Sequence, residues 1–182
     1  MSIGIYAGTF DPFTNGHLEI VKQAADIFGF VYVVFAKNDT KKRAYDEHWM
    51  ISATKMTLID NGLTNVYVDK TADLITKYAK EKGANYLVRG LRNPNDYNYE
   101  EDLAKTNKEL DPDLKTIYLR ADKHEILSSS FVKGLIKYNI DISKYVSSHV
   151  KNVITIGGIP HNYDHEKYGD LNEKISEYQN NK

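Results

Sequence analysis

The stretch AGTFDPFTNGHLEIVKQA, residues 7–24, brings Gly8, Thr9, Asp11, Pro12, Gly16 and His17 together and then turns into a helical pattern. Those types in that order suit an anion. Gly8 lets the backbone approach a ligand, Asp11-Pro12 fixes a turn, and Gly16-His17 opens a helix whose amide N–H groups face negative charge. G-x-G-x-x-G is missing and no G-K-[ST] follows Gly16, which disfavours a dinucleotide fingerprint and a Walker A loop. Taken alone, the glycines also fit plain turns, with His17 a helix-start residue. A second group lies in VRGLRNPNDYNYEED, residues 88–102, which spends two of the chain's four arginines, Arg89 and Arg92, in what reads as one loop. The arginine fork grips phosphate in a bidentate way, whereas lysine acts as a point charge. The competing reading is an ion cluster of these arginines with Asp96, Glu100 or Glu101. A third group, EILSSSFVKGLIKY, residues 125–138, sets Ser128, Ser129 and Ser130 in the first turn of a helix, where one would cap and three offer more than a cap needs. Lys41, Lys42 and Arg43 follow the second apolar run, and such a run reads as a solvated face.

The elements that would carry these groups alternate along the chain. Short apolar runs predict strands at Ile3–Ala7, Phe30–Ala36, Asn65–Val68, Tyr86–Val88 and Thr116–Leu119. Between them, Leu18, Val21, Ala24, Ala25 and Phe28 fall at helical spacing, as do Leu74, Ile75, Tyr78 and Ala79, with Gly29 and Gly83 placed as stops. This βαβ rhythm predicts an α/β fold with a doubly wound, parallel five-stranded sheet and helices on both faces. Ligands then bind beyond the carboxyl ends of the strands, near the switch in strand order. A single domain is expected over residues 1–156, with a polar tail at 157–182 in which Leu171, Ile175 and Tyr178 form one narrow stripe fit for a short docked helix. With 24 Lys+Arg against 25 Asp+Glu there is no global field for nucleic acid or membrane, so anion recognition must be local. The chain has no cysteine, which removes thiol and disulfide chemistry, and neither a signal peptide nor a membrane span is predicted. A soluble, cytoplasmic protein is expected.

Thr14 to His17 looks like the [HT]-x-G-H signature of the nucleotidyltransferase superfamily. GTFDPFTNGH, RGLRNPNDYNYE and SSSFVK, in this order and spacing, resemble phosphopantetheine adenylyltransferase from about Ile3 to about Val150. The resemblance implies a Rossmann-like nucleotidyltransferase domain that makes dephospho-coenzyme A and pyrophosphate from ATP and 4′-phosphopantetheine. It implies that His17 stabilises the transition state at the α-phosphate, that Thr9 and Lys41 hold the incoming phosphate, and that Arg89 contacts phosphopantetheine. Leu74 and Ile75 match the wall for the pantetheine arm. Thr9, Phe10, His17, Gly90, Leu91, Arg92 and Glu100 match ATP-binding positions, as do His124, Glu125, Ile126, Leu127, Ser128, Ser129 and Ser130. Mg²⁺ is implied as cofactor, held by oxygens of phosphate and water rather than by protein ligands, and a homohexamer is implied as assembly. The chain departs from the usual pattern at Ala7, at Met50 and at His124 to Leu127, the last bearing on adenine contacts. Two alternatives stand beside this reading. One is another small-substrate enzyme, such as nicotinamide mononucleotide adenylyltransferase, which would not share RGLRNPNDYNYE. The other is a non-catalytic descendant, which would have lost His17 or Lys41.

Overall fold

In the computed structural model the described residues are 1–38, 40, 42–92, 94–121 and 126–157. Five strands, β1 (Ile3–Gly8), β2 (Phe30–Ala36), β3 (Val66–Thr71), β4 (Tyr86–Leu91) and β5 (Lys115–Arg120), form one sheet in the order β3-β2-β1-β4-β5. Every pairing is parallel, in registers such as Ile5 opposite Tyr32 and Ile5 opposite Leu87. The helices are α1 (Asn15–Ile27), α2 (Glu47–Asp60), α3 (Ile75–Lys82), α4 (Pro94–Leu110), α5 (Ser129–Lys137) and α6 (Ser148–Ile156).

Alternation along the strands explains why both faces are covered. On β2, Val31, Val33 and Phe35 join a core with Val21 and Ala24 of α1, Met50 and Ala53 of α2, and Val150 and Val153 of α6. Phe30, Tyr32 and Val34 point the other way, into a second core with Ile5, Tyr67 and Tyr78. A strand buried on both faces must be apolar at every position, which is the pattern of a parallel sheet under helices. The doubly wound architecture is therefore the one expected from the sequence.

Some boundaries differ for identifiable reasons. Gly83 ends α3 in the left-handed conformation, φ 65°, and its N–H returns to the helix end. Gly29 is not the left-handed stop of α1: Phe28 is the cap, with extended backbone, and Gly29 is not among the positive-φ glycines. The supposed loop 88–102 is also corrected. Arg89 lies on β4, Arg92 in the connection that follows, and α4 starts at Pro94, where proline's missing N–H is not needed. The tail beyond Gly157, with its expected helix, lies outside the described residues. No described helix is long and apolar enough to cross a membrane.

The chain leaves β1 toward β2 on one side and, after β3, crosses back to β4 on the other. The crevice at the carboxyl ends of β1 and β4 is the switch point. It is flanked by Gly8, Thr9 and Arg89–Arg92.

Candidate active site

His17 is placed by the helix it begins. Thr14 caps α1, accepting the His17 N–H at Oγ1 (3.4 Å), while His17 Nδ1 accepts the Thr14 N–H at 3.0 Å. A ring nitrogen that accepts a backbone N–H carries no proton, so the imidazole proton sits on Nε2. The ring rests among Tyr6, Phe10 and Phe13, with centroids 6.3, 5.1 and 5.5 Å away. This desolvation, helped by the Arg92 charge, pushes the His17 pKa down to about 3. The group offered to a ligand is therefore a neutral Nε2–H donor.

Linkage fixes the sign of a test. Between the unfolded value of 6.5 and about 3, the unfolded chain holds a proton that folded His17 refuses. Folded stability from this group is complete above pH 6.5 and falls as pH drops through that window. The His17 ring resonances are expected to show no titration between pH 7.5 and 5. A midpoint near 6.5 by NMR would mean that the ring is hydrated and charged in the resting protein.

The other amides expected from α1 are largely committed. The Asn15 N–H donates to Tyr145 O at 2.8 Å and the His17 N–H to Thr14 Oγ1. The histidine side chain, more than a fan of free amides, is what α1 presents. Gly8 borders the cleft, and a Cβ there would press on the Phe10 ring at 3.0 Å. Phe10 itself adopts φ 43°, rare for a residue with a side chain, and buries its ring beneath His17 against Phe13 and Phe35. Its buried ring forms a wall of the cleft.

Across the crevice, Arg89 and Glu100 make a bidentate pair, Nε to Oε2 at 2.5 Å and Nη2 to Oε1 at 2.7 Å. Arg89 Nη1 donates to Ala7 O at 3.0 Å, tying β4 to β1. The ion-pair reading thus holds for Arg89 with Glu100, whereas Glu101 accepts from the Tyr118 hydroxyl instead. Arg92 is half-buried and lines the cleft beside Gly90 and Leu91. Beneath them the Tyr6 hydroxyl is held neutral, its pKa raised by burial against the opposing pull of Arg89 and Arg92.

The serines divide their labour. Ser128 caps α5 by accepting the Phe131 N–H at 3.0 Å, and Ser129 Oγ donates to Pro12 O at 2.8 Å. Ser130 is exposed at the cleft. Leu127 is buried in the core under the serines and still borders the cleft, whereas Ile126 is 77% exposed and lies outside its lining. Leu74 and Ile75, at the start of α3, line the same cavity on its far side. Lys41, His124 and Glu125 lie outside the described residues.

Two cavities adjoin here and share Thr9, Ala36, Lys37, Asn38, Ser129 and Ser130. The one holding His17, Leu74 and Arg89 has a volume of about 630 Å³, and its neighbour, bordered by Lys42, Arg43, Lys70 and Lys133, about 860 Å³. Sequence reasoning missed Arg43, which is not a solvated charge: its Nη1 donates to Thr9 O at 2.7 Å and its guanidinium sits over the Phe35 ring. It also missed Asp11 and Lys133 as cleft residues. Only the position of Lys133 within SSSFVK could have signalled it.

The arrangement can bind a polyphosphate and place a neutral hydrogen-bond donor on it. Comparison with known proteins agrees. A family model described as cytidylyltransferase-like matches residues 5–135. The phosphopantetheine adenylyltransferase of Desulforudis audaxviator is 36% identical over 155 residues, covering 85% of this chain and 94% of that protein. That of Streptococcus uberis is 41% identical over 150 residues, covering 81% and 89%. Among solved structures, the Plasmodium falciparum nicotinic acid mononucleotide adenylyltransferase complexed with NaAD aligns with a TM-score of 0.61 at 16% identity, covering 86% of this chain and 96% of that one. At that identity the likeness is one of fold.

Proposed function

The chain belongs to the cytidylyltransferase-like family and, within it, to the phosphopantetheine adenylyltransferases, and from that membership we propose that it transfers the adenylyl group of ATP to 4′-phosphopantetheine. A phosphate oxygen of the acceptor attacks the α-phosphorus, the new P–O bond forms as the bond to the β-phosphate breaks, and pyrophosphate leaves with dephospho-coenzyme A as product. The nucleophile arrives ionised, so no protein base is required. Catalysis then consists of positioning and charge stabilisation. The observation that carries the reading is His17, neutral and Nε2-protonated at the mouth of α1, beside Thr9 and facing the α5 serines across one cleft. In this reading its Nε2–H donates to the α-phosphate oxygens as charge grows on them, and Arg92 and Ser130 receive the triphosphate. Thr9 and Lys41 hold the acceptor phosphate, while Leu74 and Ile75 pack on the pantetheine arm.

Mg²⁺ fits this cleft as an ion held by phosphate and water. Among the described residues no three His, Asp or Glu side chains are clustered to ligate a metal. The carboxylates bordering the larger cavity, Asp11 and Glu47, are already engaged by Lys133 and Arg43. The ion would neutralise the charge of the pyrophosphate as it departs. A homohexamer in the cytoplasm is proposed on family likeness, and sedimentation tests the assembly.

The decisive assay is pyrophosphate release from ATP with 4′-phosphopantetheine, run beside nicotinamide mononucleotide. Turnover at least about 10²-fold faster in kcat/KM with 4′-phosphopantetheine is expected, a discrimination of the size that several buried polar contacts supply. Preference for the mononucleotide, which the fold likeness alone would allow, would overturn the acceptor assignment.

A further inference from the structure

Asp11 is a carboxylate at the cleft that is only 4% exposed, and a buried anion persists only where donors surround it. Its Oδ2 accepts the Ala44 N–H at 2.9 Å and the Lys133 ammonium at 3.1 Å, and its Oδ1 accepts the Tyr45 N–H at 3.1 Å. Beside them Arg43 donates to Thr9 O, and Ser129 donates to Pro12 O. Three consecutive residues of the β2–α2 connection thus donate into residues 9–11, while α5 reaches the same loop through Lys133 and Ser129. The segments brought together are those that border both cavities. None of the donors to Asp11 can also accept in this geometry, so the site asks for a charged acceptor with two oxygens.

We propose that Asp11 is a positioning residue for adenylyl transfer: its carboxylate holds Ala44 and Tyr45 of the β2–α2 connection and Lys133 of α5 in register with His17. The proposal rests on the reaction assigned above. The phosphate-binding groups sit on separate segments, and no strand ladder links the β2–α2 connection to α5. The buried Asp11 carboxylate accepts from both of them.

Asp11→Asn keeps one acceptor oxygen and turns an NH₂ group toward donors that need an acceptor. Each phosphate-binding side chain is still present, so substrates still bind, but the reacting atoms are held less closely. Misplacement of that kind costs about 10²-fold in rate. In Asp11→Asn shown by circular dichroism to be folded at the assay temperature, kcat is expected to fall at least about 30-fold, with KM for either substrate rising less than about fivefold. A merely stabilising role would lower Tm and leave kcat of the folded protein unchanged. A kcat within about threefold of wild type, or a loss confined to KM, overturns the proposal. Lys133→Met gives a second reading at a partly exposed side chain, whether or not Asp11→Asn folds. There kcat is expected to fall about tenfold at unchanged KM for ATP, whereas a raised KM with unchanged kcat would make Lys133 a direct phosphate ligand and overturn the node. The comparison is made on whichever acceptor the wild-type protein adenylylates, so a wrong acceptor assignment shows in the wild type and a wrong role for Asp11 shows only in the variants.

Discussion

His17→Ala is expected to lower kcat by about 10²–10³-fold while the Kd for ATP, measured by calorimetry, stays within about threefold of wild type. The split follows from what the ring does. Its Nε2–H strengthens as negative charge builds at the α-phosphate, so its loss is felt in the transition state more than in the ground state. The neutral ring adds little Coulombic attraction to bound ATP, unlike Arg92. The substitution also removes the Nδ1 acceptor for the Thr14 N–H, which costs about 1 kcal/mol of folding stability. His17→Asn separates the two effects, because an asparagine oxygen can replace Nδ1 at the cap but nothing replaces Nε2–H. It is expected to recover the Tm lost by His17→Ala and to leave kcat low. Near wild-type kcat in His17→Ala, or recovery of kcat in His17→Asn, would remove His17 from the chemistry.

The parts of this site legible in the sequence were those whose residue types are tied to phosphate whatever the fold. Thr9, His17 and Ser128–Ser130 stand where local turn and cap chemistry put them, and local chemistry is readable over a few residues. The β2 strand was legible over its whole length because it is apolar on both faces, whereas β3 continues through Asp69–Thr71, polar residues tolerated at a sheet edge paired only to β2. Helix α4 read as loop for a related reason. Its Leu103 and Ala104 are only half-buried, so no apolar stripe marks it. Helix α2 contacts both β3 and α6, and Met50, Ala53, Met56 and Leu58 are buried around more than one of its faces, which blurs a one-sided helical period. Asp11 was read as a turn residue because its partners are 33, 34 and 122 positions away. A bond across such separations exists only once the sheet has brought the connections together. The Arg89–Glu100 pair spans 11 positions, yet it needed α4 to be a helix before it could form.

That pair sets the second large effect. Arg89→Ala is expected to lower kcat/KM by about 10²–10³-fold, as is typical when a partner in a buried charge pair that also binds an anion is lost. Family likeness assigns Arg89 to phosphopantetheine and Glu100 to ATP, but the geometry joins them: both carboxylate oxygens of Glu100 face the Arg89 fork, and the two side chains are only 25% and 13% exposed. Glu100 then acts on the reaction by aiming Arg89. Glu100→Gln keeps the shape and removes the charge, and it is expected to cost about tenfold in kcat/KM, chiefly through the KM for phosphopantetheine. Adding Glu100→Gln to Arg89→Ala is expected to cost less than about twofold more, because the residue through which Glu100 acts is already gone. The alternative is distinct in the same cycle. If Glu100 binds ATP on its own account, its variant raises the KM for ATP and the two losses multiply in the double variant. Multiplication would return Arg89 and Glu100 to separate substrates, each acting on its own account.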